Sequence, residues 1–266
     1  MNVICQDLTD EYNELDDLVS GLSEKQWNTV TPFFEWTIKD EIAHIAYFDS
    51  TAQLATQDRK LFMKKFESFL AEIKPGESMF EVINRVGRAK PVEELMTDWR
   101  NNRTAMVDAL SKLDPKARLP WYGPDMSAKS FATARLMETW AHGQDVYDTL
   151  RIKRKPAARI KHIAHLGVTT FGWSFMVRQL EAPADPVRVN LDHPFGDNWI
   201  WGPNLAENSV SGSAEDFCLV VTQRRNIADT NLEVKGEVAE KWMSIAQAFA
   251  GMPEDPPKPG VRVITF

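Results

Sequence analysis

The chain has 266 residues, of which 43% are hydrophobic and 26% charged, and its formal net charge is −7. That length accommodates one large or two modest domains, and the acidic balance excludes a partner held by counterion release, such as nucleic acid. No apolar run approaches the span of a bilayer, and the N-terminus lacks the basic and apolar regions of a secretory signal. Cys5 and Cys218 lie far apart without a second Cys or a His at ligand spacing, so reduced thiols in a cytoplasmic protein are expected.

Residues 3–22 place Ile4, Leu8, Tyr12, Leu15, Val19 and Leu22 at three- and four-residue spacings, which predicts an amphipathic helix. A connection over 23–32 opens with Ser23-Glu24-Lys25-Gln26, the pattern of a short capped turn. A second helix is predicted over 36–54. Thr37 suits its N-cap, and Asp40 and Glu41 fall where the helix dipole favours negative charge. Ile38, Ile42, Ile45, Ala46 and Phe48 form its apolar stripe, with His44 beside it. Helical patterns follow over 57–73, ended by Pro75-Gly76, over 78–89, and from Pro91 to about 113. Three prolines make 114–126 a loop, after which Ser127 or Ser130 caps a helix running to about 150. This half has helical repeats and almost no strand-like alternation, so a helical bundle over 1–155 is expected.

The basic stretch 151–161 reads as a solvated linker. One helix is predicted over 158–180, then short strands at 187–191, 199–201 and 208–213, with a turn at 196–198. Ser213 caps a helix over 214–222, a last helix covers 237–250, and a proline-rich tail leads to a final strand at 261–266. Residues 156–266 therefore form a small α+β domain.

Chemistry concentrates in the helix holding Arg135, Glu138, His142 and Asp145. Glu138 and His142 are one turn apart on one face, and Asp145 shares that face nearly two turns on. A carboxylate and an imidazole so placed can chelate one divalent ion, with His44 of another bundle helix as the candidate third ligand. The spacing alone is not specific, since 38 acidic residues are available and Asp40 stands at the same distance before His44. A His₂Glu set suits zinc with open positions, and also non-haem iron. Asp145 or Asp40 could orient a ligand imidazole, a surface salt bridge being the other reading of Asp40. Trp121, in Pro120-Trp121-Tyr122-Gly123, either walls a pocket or covers the bundle end. His162 and His165 share a helix face without an accompanying acid or Cys.

Two of these stretches carry a resemblance. Trp36-Thr-Ile-Lys-Asp40-Glu-Ile-Ala-His44 resembles the Trp…Asp…Ala-His signature of DinB-like metal-binding bundles. Pro120-Trp121 together with Arg135-Leu-Met-Glu138-Thr-Trp-Ala-His142-Gly-Gln-Asp145 resembles the matching segment of the mycothiol-dependent maleylpyruvate isomerase family. The resemblance covers roughly the first 150 residues. It implies a DinB-like bundle followed by a sterol-carrier-like α+β domain. It also implies a divalent metal on His44, Glu138 and His142: zinc first, with iron, nickel or manganese as alternatives. In the second domain Arg224-Arg225, ahead of Leu232-Glu-Val-Lys-Gly236, occupies the place of an arginine that precedes a glycine and the last helix in relatives. The Gly-Asp often found there is Gly236-Glu237. The stretch 57–73 is longer than a minimal bundle requires and could reshape the entrance.

The resemblance implies a thiol-dependent transferase or isomerase. A free thiol has a pKa of about 8.5, and a dication favours its thiolate. A low-molecular-weight thiol such as mycothiol would then attack a small electrophile, with Arg135 or Arg225 neutralising carboxylates, Asp145 assisting, and Trp121 contacting the cofactor. Two other readings stand beside it: a metal-hydroxide hydrolase, and a small-ligand-binding protein with a structural metal. Neither nucleic acid nor membrane is an expected partner, and a homodimer is left open.

Overall fold

The computed structural model describes residues 1–264. The chain divides into two compact units, Met1–Leu150 and a second from Arg151 onward. The first is a helical bundle and the second an α+β domain.

Four long helices make the bundle: α1 (Asn2–Val19), α3 (Ile38–Gln57), α6 (Val92–Ser111) and α7 (Ala128–Leu150). Helix α3 packs against α6 and α7, and α1 against the same two. The one-turn α2 (Glu24–Trp27), α4 (Arg59–Glu72) and α5 (Met79–Ala89) fill the connections. Local chemistry sets the starts. Ser23, Thr37 and Ser78 each form a capping box with the side chain three residues on: Gln26, Asp40 and Glu81. Ser127 Oγ accepts from Ser130 N at 3.1 Å, so Ser127 caps α7. The segment expected to be only a loop contains a two-residue antiparallel pair, β1 (Arg118–Leu119) and β2 (Met126–Ser127). Helix α5 lies unusually close to α3: a Cβ at Gly87 would meet Ala43 Cβ at 2.3 Å. Phe48, Phe69, Val82 and Ile83 form an apolar cluster under α4, joined by Tyr47, Trp121 and Tyr122.

The second unit has a four-stranded sheet in the order β4-β3-β5-β6. Strands β3 (Val187–Asp192), β4 (Trp199–Trp201) and β5 (Asn208–Ser213) fall where alternation predicts them, and β6 (Glu233–Lys235) is an additional edge strand. Its three residues, two of them exposed charges, carry no readable pattern. Strand β3 runs antiparallel to β4 and parallel to β5. Helices α10 (Ala214–Val221) and α11 (Glu237–Ile245) pack on the sheet. Gly236, at φ 89, opens α11, and a Cβ there would meet Asn208 Oδ1 at 2.3 Å; that oxygen caps the helix by accepting from Val238 N.

The second unit departs from expectation at four segments. The single helix over 158–180 is a 3₁₀ turn, Ala158–Ile160, then α8 (Lys161–Thr169) and α9 (Phe171–Met176). The break falls at Thr170, whose hydroxyl donates back to the carbonyls of Leu166 and Gly167. Helix α11 stops at Ile245 because Gln247 N donates to Ser174 Oγ and Ala248 N to the Val221 carbonyl. Residues 261–264 form turns and irregular chain in place of a strand, and 265–266 lie outside the described residues. The linker is also less solvated than its charge suggests, since Arg154 is buried. No helix among the described residues is long and apolar enough to cross a membrane.

Candidate metal centre

Helices α3 and α7 bring His44, Glu138 and His142 to one point. Glu138 Oε2 lies 3.5 Å from His44 Nε2 and 3.3 Å from His142 Nε2. All three potential ligand atoms lie within 4.8 Å of one another. Ligands about 2.1 Å from a tetrahedral ion sit about 3.4 Å apart, so the two measured edges match a metal's requirement. Both histidines are buried, whereas the Glu138 side chain keeps 25% of its surface accessible. The cluster therefore opens to solvent on the Glu138 side.

The protonation states also suit a metal. Burial, then the neighbouring His142, depress His44 to about 3, against the opposing pull of Glu138. Its imidazole is neutral at physiological pH and keeps a lone pair to donate. Burial works to raise Glu138, but hydrogen bonds and charge from His142 and His44 outweigh it and hold the carboxyl well below its usual range.

His142 is oriented from behind. Its Nδ1 lies 2.7 Å from Glu41 Oε2, and Glu41 Oε1 accepts the Thr31 hydroxyl at 2.6 Å. Glu41 and Thr31 are both buried. With the Nδ1 proton donated to Glu41, His142 turns Nε2 toward Glu138. Burial first, then the charge of Asp145, push Glu41 up, while its bonds to His142 and Thr31 pull the other way. His44 has no such partner at Nδ1 among the described residues. Rings hold it instead: Phe48, Trp36 and Phe80 have centroids 4.8, 5.2 and 5.6 Å from its own.

The remaining expected residues of the bundle lie apart from the mouth. Arg135 is not available to a substrate carboxylate. It is 3% exposed and its guanidinium pairs with Asp49 at 2.8 Å, because a buried cation without a partner would carry a large desolvation cost. Asp49 also accepts from Tyr12 Oη at 2.6 Å and Trp99 Nε1 at 2.9 Å. This buried knot fixes α3 against α7 beside the ligands. Asp145 is fully buried and groups with Glu41 and His142. Asp40 binds Arg88 with both oxygens and closes the α3 capping box, so it forms a salt bridge, but as a buried carboxylate and not a surface one. Trp121 is half-buried and packs on Phe131, Phe48 and Phe62. It is thus one ring removed from His44, across Phe48. Arg225 belongs to the second unit, follows α10, and is buried with Nη1 donating to the Arg224 carbonyl at 2.7 Å. His165 accepts from Trp201 Nε1 at 3.3 Å.

Glu41 is the functional group that sequence reading passed over. It shares the apolar face of α3 with Ile38 and Ile45, and an acid in a buried stripe was the available signal.

A family model described as the mycothiol maleylpyruvate isomerase N-terminal domain matches residues 8–147. Uncharacterized protein MT0041 and Uncharacterized protein Rv0036c, from two strains of Mycobacterium tuberculosis, are each 43% identical to the chain over 247 residues, covering 93% of it and 95% of themselves. Among solved structures, the mycothiol-dependent maleylpyruvate isomerase aligns with a TM-score of 0.53 at 14% identity, over 82% of this chain and 87% of that one. A variant of that isomerase with one histidine replaced by alanine aligns with a TM-score of 0.54 at 13% identity and the same coverage. At such identity the structural likeness concerns the fold. The family match and the long relatives establish that the chain belongs to the mycothiol maleylpyruvate isomerase family.

Proposed function

We propose that this protein is a divalent-metal-dependent enzyme that uses a low-molecular-weight thiol, mycothiol by family, in an isomerase or transferase reaction. The observation that carries this reading is the convergence of His44, Glu138 and His142 with two edges of tetrahedral length and one side open. These three residues would hold the ion, with zinc the first choice for a His₂Glu set and iron the alternative. When bound, the ion supplies a Lewis acid that favours the thiolate of the cofactor at neutral pH. The chain's own residues do the rest. Glu41 and Thr31 hold the Nδ1 proton of His142 and aim its other nitrogen. Asp49 and Arg135 keep the two ligand-bearing helices in register, so Arg135 is a positioning residue. Asp145 lies beside Glu41 and His142 in the interior, where its charge raises the Glu41 carboxyl. Trp121 is assigned to the apolar flank next to Phe48.

The hydrolase reading needs an accessible base near the ligands. Asp40 is tied to Arg88, and Asp145 is fully buried, so neither supports it. A purely structural ion is disfavoured by the exposed flank of Glu138. The test is elemental analysis of wild type beside Glu138→Ala and His142→Ala, followed by addition of mycothiol to cobalt-substituted protein. Near-stoichiometric metal in wild type alone, and a cobalt spectrum altered by mycothiol, are expected. Absence of metal after reconstitution would sink the proposal.

A further inference from the structure

The metal centre is framed by aromatic rings of the bundle, where Arg135, Arg88 and Lys39 are each engaged by other groups. Phe33 meets His142 edge-on at 5.2 Å, and Trp36 lies parallel to the same imidazole at 6.0 Å. Phe80 reaches His44 from α5 and contacts Trp36 at 5.9 Å. Trp36 is itself buried, at 8% exposed, but the frame is not closed core. Phe80 is 43% exposed, and Phe34, packed against Phe33, is 65% exposed. Phe34 and Glu35 both adopt left-handed backbone, with φ of 47 and 58. Two successive non-glycine residues in that region are strained, and such strain persists where the surroundings impose it. Here it turns the loop so that Phe33 and Trp36 face the histidines.

Four basic side chains of the bundle near this frame are engaged. Loop residues 28–37 include no Lys or Arg. Lys39 donates to the carbonyls of Arg88 and Lys90, Arg88 binds Asp40, Arg85 binds Glu77, and Arg135 binds Asp49. Lys129 stands nine residues before Glu138 on α7, about 13 Å along the axis. A carboxylate-rich substrate head would meet rings and the Glu138 carboxylate here. An uncharged planar group would meet faces and edges suited to it.

We infer that the bundle side of this centre receives an uncharged, apolar and preferably aromatic portion of the electrophilic substrate, which stacks among Phe33, Trp36 and Phe80. This deepens the proposed function and rests on it for the identity of the reacting partner. Ligand binding can be read without any reaction. Full-length zinc-loaded protein is titrated with trans-4-phenyl-3-buten-2-one and, separately, with maleate, using saturation-transfer NMR without thiol. The same titrations are run on metal-free protein and on Phe80→Ala and Phe33→Ala. The phenyl enone is expected to bind at least about tenfold more tightly than maleate, and each variant to weaken it roughly tenfold when compared at equal zinc loading, which is measured on every preparation. Maleate binding as tightly as the enone, or enone binding indifferent to both substitutions, overturns the inference. Failure of the metal and thiol reading shows separately, as missing zinc or an unresponsive cobalt spectrum on the same preparations.

Discussion

Glu41 of α3 and His142 of α7 face each other at 2.7 Å, both buried, with His142 bound on its other side to the Glu138 cluster. The contact crosses a helix interface, so it joins bundle packing to ligand geometry. A carboxylate on the outer nitrogen fixes tautomer and ring angle, and loss of such a partner typically costs ten- to a hundredfold in metal affinity. Glu41→Ala is therefore expected to lower zinc affinity by about that factor, measured by chelator competition. Circular dichroism should remain that of the wild type. Thr31→Val, which removes only the hydroxyl reaching Glu41, should give a smaller loss in the same direction. Unchanged zinc affinity in Glu41→Ala would show that His142 needs no such support.

Asp49 offers a different test, because it stabilises the bundle without touching the ligands. It is fully buried and accepts from Tyr12, Trp99 and Arg135. Asp49→Ala leaves the Arg135 guanidinium buried without its counterion, which costs about 3–5 kcal/mol. For a unit of this size that corresponds to a fall in Tm of roughly 10 °C. The double variant Asp49→Leu/Arg135→Met removes both charges and should recover much of the loss, since replacing a whole buried pair is often neutral. If both variants melt alike, the pair itself is not what holds α3 to α7.

Acid should weaken the bundle through Asp16. Burial alone would raise this carboxyl, but hydrogen bonds from Arg100 and Ser20 and the charges of Arg103 and Arg100 outweigh it, and the net shift is downward from 3.8. A folded value below the unfolded one means that ionised Asp16 favours the folded state. The contribution is complete above about pH 4 and is lost as pH falls through the lower folded value. Asp16→Asn should thus be less stable than wild type at neutral pH, with the gap closing in acid. Urea melts at pH 7 and pH 3 measure this, and a gap of constant size would remove Asp16 from the acid response.

Much of this architecture is legible in local chemistry. The capping serines and threonine announce helix starts because each cap involves only its own next three residues. His44, Glu138 and His142 stand out because helical spacing places them beside apolar stripes, and the structure brings them together. What stayed hidden depends on partners distant in sequence. Glu41 looks like a dipole-facing acid until α7 supplies His142 101 residues on. Arg135 looks like a substrate-facing cation until α3 supplies Asp49. The break at Thr170 and the early end of α11 at Ile245 follow from hydroxyl and tertiary hydrogen bonds that periodicity does not encode. Phe33 and Phe80 come from a loop and a separate helix, and no spacing rule links them to the centre.

Gly87 tests how closely the metal centre depends on helix packing. A Cβ at this position would sit 2.3 Å from Ala43 Cβ, and Ala43 immediately precedes His44. Alanine at a helix interior is worth up to about 1 kcal/mol over glycine, which taken alone predicts stabilisation. The clash opposes it, and a methyl carbon has no rotamer by which to move aside, so α5 must shift from α3. Overpacking of this kind costs about 1–3 kcal/mol. The steric cost is expected to win, giving Gly87→Ala a lower Tm. Because α5 also carries Phe80 against His44, zinc affinity should fall as well. Gly87→Ala combined with Ala43→Gly exchanges the methyl across the contact, and the pair should couple strongly, as residues in direct contact do. Recovery of both Tm and zinc affinity in the double variant would locate the effect in this one contact. Recovery of Tm without zinc affinity would separate helix packing from ligand geometry.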